Sequence, residues 1–273
     1  MIKNSNVTTR ETIYYWLLKQ SAATNEEITA LFKENSNKAD PKYIYIKYLN
    51  PLLSQEKLDR IRRGLYTAID PVTGRPVADP IIVASKLRLK YYLGYHTALE
   101  IHGAAYSART VTQICVKPRH RFKEFRYNGN TYTPIYTQDY HTNIQTINHR
   151  GQPIQVCGKE RLLIECTDKP HHVGGWEQTL KSLHSLGGID YSQIPGLLRR
   201  LGIQKLTRKT GYILEILQRN SIYHSHLPPE TLLEIEEMVQ GQPEYLEKDT
   251  SGPLNKKWML YVSKRFTDNL RGI

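Results

Sequence analysis

Two stretches of this chain interleave cations with aromatic rings, the combination that suits contact with nucleic acid. The first is Lys42-Tyr43-Ile44-Tyr45-Ile46-Lys47, followed shortly by Arg60, Arg62 and Arg63. An arginine fork can grip a phosphate or a guanine edge through two parallel hydrogen bonds, while lysine supplies a point charge. Lys42, Tyr43, Tyr45 and Lys47 are therefore expected to face DNA, although either tyrosine can instead pack inward. Arg60, Arg62 and Arg63 are expected to add phosphate or minor-groove contacts. The second stretch is Lys117-Pro118-Arg119-His120-Arg121-Phe122-Lys123-Glu124-Phe125-Arg126. Its cations Lys117, Arg119, Arg121, Lys123 and Arg126 can extend a DNA footprint or serve another partner. A charged loop leading into a hairpin explains them as well.

Other chemistries find less support. Cys115, Cys157 and Cys166 form no C-x-x-C pair and sit among apolar neighbours, so buried structural thiols are expected rather than a disulfide or zinc site. His96 and His102 lie six apart, which does not stack them on one helix face, and a core or capping role is expected. His171-His172 and His224-Ser225-His226 lack the carboxylate or cysteine that would complete a ligand set. Gly174-Gly175 and Gly187-Gly188 fall outside any phosphate-loop frame. A metal-dependent nuclease would commonly place a carboxylate two residues before a lysine. Here only Asp40-Pro41-Lys42 does so, and it reads as a helix start. No catalytic residue, metal or cofactor is expected.

Charge strengthens the polyanion reading. The 273 residues carry a net +12, and residues 71–170 hold the largest share, +7, whereas residues 228–273 sum to −2. Clustered cations gain affinity for phosphate backbones by releasing counterions. The mean hydropathy is −0.54 and no apolar run approaches the roughly 20 residues of a membrane span. Met1 to Asn6 run into polar residues rather than a leader's apolar core, so the cytoplasm is the expected location, with no membrane partner.

The elements that must position these residues can be read from caps and periodicity. Residues 9–19 predict a helix capped at Thr9, and 26–32 a second with acidic residues in its first turn. Asp40-Pro41 is an N-cap with proline at the first helical position, and it opens a third helix that stops before Asn50-Pro51. The Ile44/Ile46 alternation in that segment would also suit a strand. Residues 57–69 read as a hairpin about Gly64. Three short helices and a basic hairpin are the order of parts in a winged helix-turn-helix. Residues 70–80 hold three prolines and a glycine and read as a linker. Beyond it, helices at 81–87 and 95–102 precede a period-two strand at 110–116. Hairpins turn at Asn128-Gly129 and at His149-Arg150-Gly151, and the chain is mostly helical from Lys159. The expected fold class is α+β, with a winged helix over 1–78 and a larger mixed domain over 79–273.

Four motifs in order point to a family. Tyr91-Tyr92-Leu93-Gly94-Tyr95-His96-Thr97-Ala98-Leu99-Glu100-Ile101-His102-Gly103 resembles the "Y-x-x-G-x-x-A-L-x-x-H-G" stretch of the AbiE antitoxins of abortive-infection systems. Arg63-Gly64-Leu65-Tyr66 resembles their "R-G-x-Y" wing. Lys159 to Cys166 resembles the "E-R-x-L-x-D" helix, with Glu165 where aspartate is usual. Leu197 to Gly202, then Lys209 to Leu214, resembles the "R-L-G-x-x-L" region. The resemblance spans residues 10–220. It implies an antitoxin of a type IV toxin–antitoxin pair that binds inverted repeats in its own promoter. It also implies that the second domain counteracts a nucleotidyltransferase-like toxin without a stable complex being required. On that reading the second basic run can act against the toxin or its RNA target. A stand-alone winged-helix regulator and a nucleic-acid-processing enzyme are the alternatives.

Overall fold

A computed structural model describes residues 9–33, 40–139, 141–248 and 251–270. Met1 to Asn6, read above for a leader, lie outside the described residues. The chain has an α+β fold in which a small helical unit with a three-stranded sheet precedes a larger unit built on six strands.

In the small unit Thr9 caps α1 (Arg10–Gln20), its hydroxyl accepting from the Thr12 N–H. The short β1 (Ala23–Thr24) runs directly into α2 (Asn25–Lys33). Thr24 and Glu27 cap that helix reciprocally, each side chain accepting from the other's backbone N–H. Asp40 caps α3 (Pro41–Ile44) as its sequence predicts. The helix does not stop before Asn50-Pro51, however. It widens into a π turn over Tyr45–Leu49 and continues as α4 (Asn50–Ser54). Proline has no N–H to give the carbonyl four residues back. The Lys47 carbonyl so released accepts instead from the Arg10 Nε at 3.0 Å, and the Asn50 N–H reaches the Tyr45 carbonyl across the wide turn.

The hairpin β2 (Leu58–Arg62) and β3 (Leu65–Ala68) closes the unit, with β3 central between β1 and β2. Gly64 supplies the positive φ the turn requires, and a register shift between Arg60 and Arg62 breaks the alternation of β2. Ile13, Leu17, Ile28, Ile44 and Leu52 are among the residues of this unit's core. Ala22, Ile61 and Leu65 instead join the core of the larger unit.

Residues 70–79 are irregular but held. Ser21 donates to the Val77 carbonyl and accepts from the Asp79 N–H. Asp79 caps α5 (Pro80–Lys86) and receives His149 and Arg150 from a distant hairpin. The six-stranded sheet then forms from β4 (Tyr92–Leu93), β5 (Val111–Val116), β6 (Phe125–Tyr127), β7 (Asn130–Tyr136), β8 (Ile144–His149) and β9 (Gln152–Cys157). Its order is β6-β7-β5-β4-β9-β8, with β5–β7 and β4–β9 parallel. Asn128 and Gly129 both take positive φ in the β6–β7 turn, as do Arg150 and Gly151 in the next. Helix α6 (Tyr95–Ile101) follows β4.

The remaining chain is helical: α7 (Lys159–Asp168), α8 (Trp176–His184), α9 (Gln193–Leu201), α10 (Gln204–Asn220) and α11 (Pro229–Glu237). A three-stranded patch the sequence does not announce follows, β10 (Glu244–Tyr245), β11 (Leu254–Asn255) and β12 (Leu260–Tyr261), before α12 (Lys264–Asn269). Trp258 anchors it, fully buried against α10 with its indole N–H on Glu215 at 2.7 Å. Among the described residues no helix is long and apolar enough to cross a membrane.

Candidate nucleic-acid interface

The continuous α3–π–α4 helix turns Ile44, Leu49 and Leu52 into the core and leaves Lys42, Tyr43, Ile46, Lys47 and Asn50 in solvent. Spacings of three and four place these five on one face. Lys47 Nζ donates to the Tyr43 hydroxyl at 2.6 Å and lies 5.1 Å and 5.3 Å from the Tyr43 and Tyr48 ring centres. The bond to Tyr43 and the nearby Tyr48 hold the Lys47 ammonium above its ordinary range, so it stays charged. Tyr45, expected to face DNA, is half-buried and packs on the small unit's core, because the π turn rotates it towards the hairpin. Sequence reasoning missed Ile46, 58% exposed, and Asn50. Carrying the four-residue spacing on from Lys42 to Asn50 would have found both.

The three hairpin arginines part company. Arg60 and Arg63 are exposed. Arg62, placed with them by sequence, faces the larger unit: its guanidinium lies 5.3 Å from the Phe125 ring and 6.0 Å from Phe122. The register shift in β2 lies beside it, and its half-buried guanidinium is taken up by the junction instead of standing free in solvent with Arg60 and Arg63. Asp59 beside it accepts from the Tyr127 hydroxyl at 2.7 Å, and burial together with this bond pushes the Tyr127 phenol up.

The same junction fixes the second basic run. Arg88, unremarked in the sequence, donates to the His120 carbonyl at 2.8 Å and the Arg121 carbonyl at 3.0 Å, and lies 5.3 Å from the Phe122 ring. Phe122 is thus buried between two guanidiniums. Its neighbours Arg119, Arg121, Lys123 and Arg126 point into solvent and form no ion pair among the described residues, while Lys117 is half-buried. The positive field is felt at His120, which partial desolvation and then Arg119, Lys90, Arg88 and Lys117 hold below its ordinary range. Further ties brace the two units: Lys86 pairs with Glu27, and Gln152 Nε2 donates to the Gln20 carbonyl at 2.6 Å.

The remaining candidates have structural partners. The three cysteines are free and buried. His96 bonds the Ser107 carbonyl, His102 the Cys157 carbonyl, and His224 bridges Tyr191 and the Leu183 carbonyl. No group of three or more His, Cys, Asp or Glu that could hold a metal ion occurs among the described residues.

No family model and no curated protein matches the chain. Among solved structures, the RV2827C protein from Mycobacterium tuberculosis has a similar fold. The TM-score is 0.63 at 16% identity, over 95% of this chain and 92% of that one. That likeness concerns the α+β fold alone.

Proposed function

We propose that the chain is a cytoplasmic, non-enzymatic DNA-binding antitoxin and repressor of the AbiE abortive-infection type. The observation that carries the DNA half is the exposed stripe of Lys42, Tyr43, Ile46, Lys47 and Asn50 on one helix face, followed by a hairpin exposing Arg60 and Arg63. In this reading the small unit acts as a winged helix whose third helix enters the major groove. Asn50 suits an adenine edge and Ile46 a thymine methyl there, and Lys42 and Lys47 neutralise phosphates. The exposed cations of residues 119–126 lie next to the docked hairpin and can lengthen the phosphate track. The antitoxin half rests on the ordered AbiE-like motifs, with a nucleotidyltransferase-like toxin as the functional partner.

The test uses the full-length chain and its Lys42→Ala/Lys47→Ala variant on a fragment of its own promoter. Losing two phosphate contacts should lower the slope of log affinity against log salt by about 2. Unchanged affinity and slope would remove the third helix from the interface. Growth of cells expressing the adjacent reading frame tests the other half. Both proteins should relieve toxicity, because the substitutions lie outside the larger unit. Toxicity that neither protein relieves would leave a stand-alone regulator.

A further inference from the structure

Three of the motif stretches, far apart in sequence, meet at one cavity. Tyr95 after Gly94, Arg161 to Glu165 on α7, and Leu197 to Leu201 on α9 line a cavity of about 210 Å³ in the larger unit. Tyr95, Ile164 and Leu206 form its buried wall, while Tyr136, Leu201 and Ile203 are exposed at the mouth. The wall is built at a local cost. Tyr95, 5% exposed, has a φ of 49°, a region unfavourable for a bulky side chain. The preceding Gly94 admits no Cβ, which would stand 2.8 Å from the Cys115 sulfur.

The charges around the cavity divide into two sets. Arg161 is fully engaged, with Nε on Glu165 at 2.8 Å, one terminal nitrogen on the Thr142 carbonyl at 2.7 Å, and the other on the Tyr92 hydroxyl at 2.8 Å. Tyr92 in turn donates to Glu165 at 2.5 Å. Asp139 accepts from the backbone N–H groups of His141 and Thr142. These residues hold one another and shape the site. Asp168, Lys169 and Arg200 do not: their side chains make no hydrogen bond or ion pair among the described residues, although all three line the cavity. Beside an apolar, partly aromatic slot stand one carboxylate and two cations with no side-chain hydrogen bond or ion pair among the described residues, the buried Lys209 ammonium attracting Asp168 through space.

We propose that this cavity takes the base of a guanine nucleotide, with Asp168 reading the base and Lys169 and Arg200 neutralising phosphate at the mouth. A carboxylate has two oxygens and satisfies them best against two adjacent donors. Guanine offers such a pair, N1–H and the 2-amino group. Adenine sets its amino group beside a ring acceptor, whose lone pair opposes a carboxylate. Aliphatic and tyrosine walls suit a flat ring, and the volume admits a base while leaving ribose and phosphates outside. None of these residues belongs to the DNA surface, so the two proposals fail or stand separately.

Calorimetric titration of the full chain with GTP, GMP, guanosine and ATP tests the assignment. GTP should bind, with ATP at least about tenfold weaker, since a site built around one hydrogen-bonding pattern rejects a base lacking it. Asp168→Asn should weaken GTP about tenfold or more and erase the preference over ATP. Arg200→Ala should weaken GTP and GMP while sparing guanosine. Leu201→Trp, on an exposed rim position, should block entry without touching the core, which separates loss of the site from loss of the fold. No GTP binding at millimolar concentration, equal affinity for ATP, or full affinity in both Asp168→Asn and Leu201→Trp would overturn the proposal.

Discussion

Arg62 and Arg63 are neighbours in sequence, and their replacement by alanine should have opposite signatures. Arg62 stacks on Phe125 at 5.3 Å and Phe122 at 6.0 Å across the junction. Partly desolvated cation–π contacts are worth about 1–2 kcal/mol each. Two features of the structure reduce that. One terminal nitrogen of Arg62 is buried with no hydrogen-bond partner among the described residues, and truncation removes that unsatisfied group. Arg62 also lies close enough to Arg88 to lower the latter's proton affinity, after desolvation, so its removal relieves repulsion. The net cost of Arg62→Ala is then about 1 kcal/mol, a fall in melting temperature of about 2–4 °C for a chain of this size. Its salt slope on promoter DNA should stay at the wild-type value. Arg63, exposed at the hairpin turn, should show the reverse: an unchanged melting temperature and a slope shallower by about 1. Fluorescence anisotropy over about 50–200 mM salt, beside thermal unfolding monitored by circular dichroism, reads both quantities. A shallower slope with unaltered melting in Arg62→Ala would refute the docked hairpin.

The exposed cations of the second basic run give a further test: Arg119→Ala/Arg121→Ala/Lys123→Ala should lower the salt slope by nearly 3 if each meets a phosphate. A wild-type slope would confine the footprint to the small unit. His172 is held down to about 4 from an ordinary 6.5, by burial first, then by His171 and Lys169. Because the unfolded chain takes that proton first, stability should be unaffected above pH 6.5 and fall as pH drops towards 4. The loss should be about 1–2 kcal/mol after allowing for its partial exposure. His172→Gln should flatten this step in urea titrations across that range, and an unaltered step would assign it elsewhere. In α10, a Cβ on Gly211 would stand 2.0 Å from the Trp258 ring, so Gly211→Ala should cost about 1–3 kcal/mol and lower the melting temperature by several degrees. Unchanged melting would mean that Trp258 does not pack there.

Much of the local structure was legible because it depends on neighbouring backbone groups. Thr9 and Asp40 accept from N–H groups two or three residues on, and Asn128-Gly129 and Arg150-Gly151 take the positive φ of tight hairpins. The period-two run at 110–116 became β5 for the same local reason. β4 was not legible. Two residues, Tyr92–Leu93, carry no period of their own, yet they sit mid-sheet because β5 and β9 pair on either side. Pro51 misled for a comparable reason. Its interrupted carbonyl is satisfied by Arg10, 37 residues away from Lys47, and no local rule contains that partner.

The candidate interface divides along the same line. Residue types alone marked Lys42, Tyr43, Lys47, Arg60, Arg63 and the run from Arg119 to Arg126 as cationic and aromatic, and solvent exposure follows from the cost of burying unpaired charge. Which way each side chain points was decided by packing. Two phenylalanines from a separate strand and loop took up Arg62 beside the register shift in β2, and a π turn brought Asn50 into line with Lys42 and Ile46. The cavity around Tyr95, Arg161 and Leu201 is tertiary altogether: helices α6, α7 and α9 contribute to it from stretches of chain whose meeting only the folded core fixes.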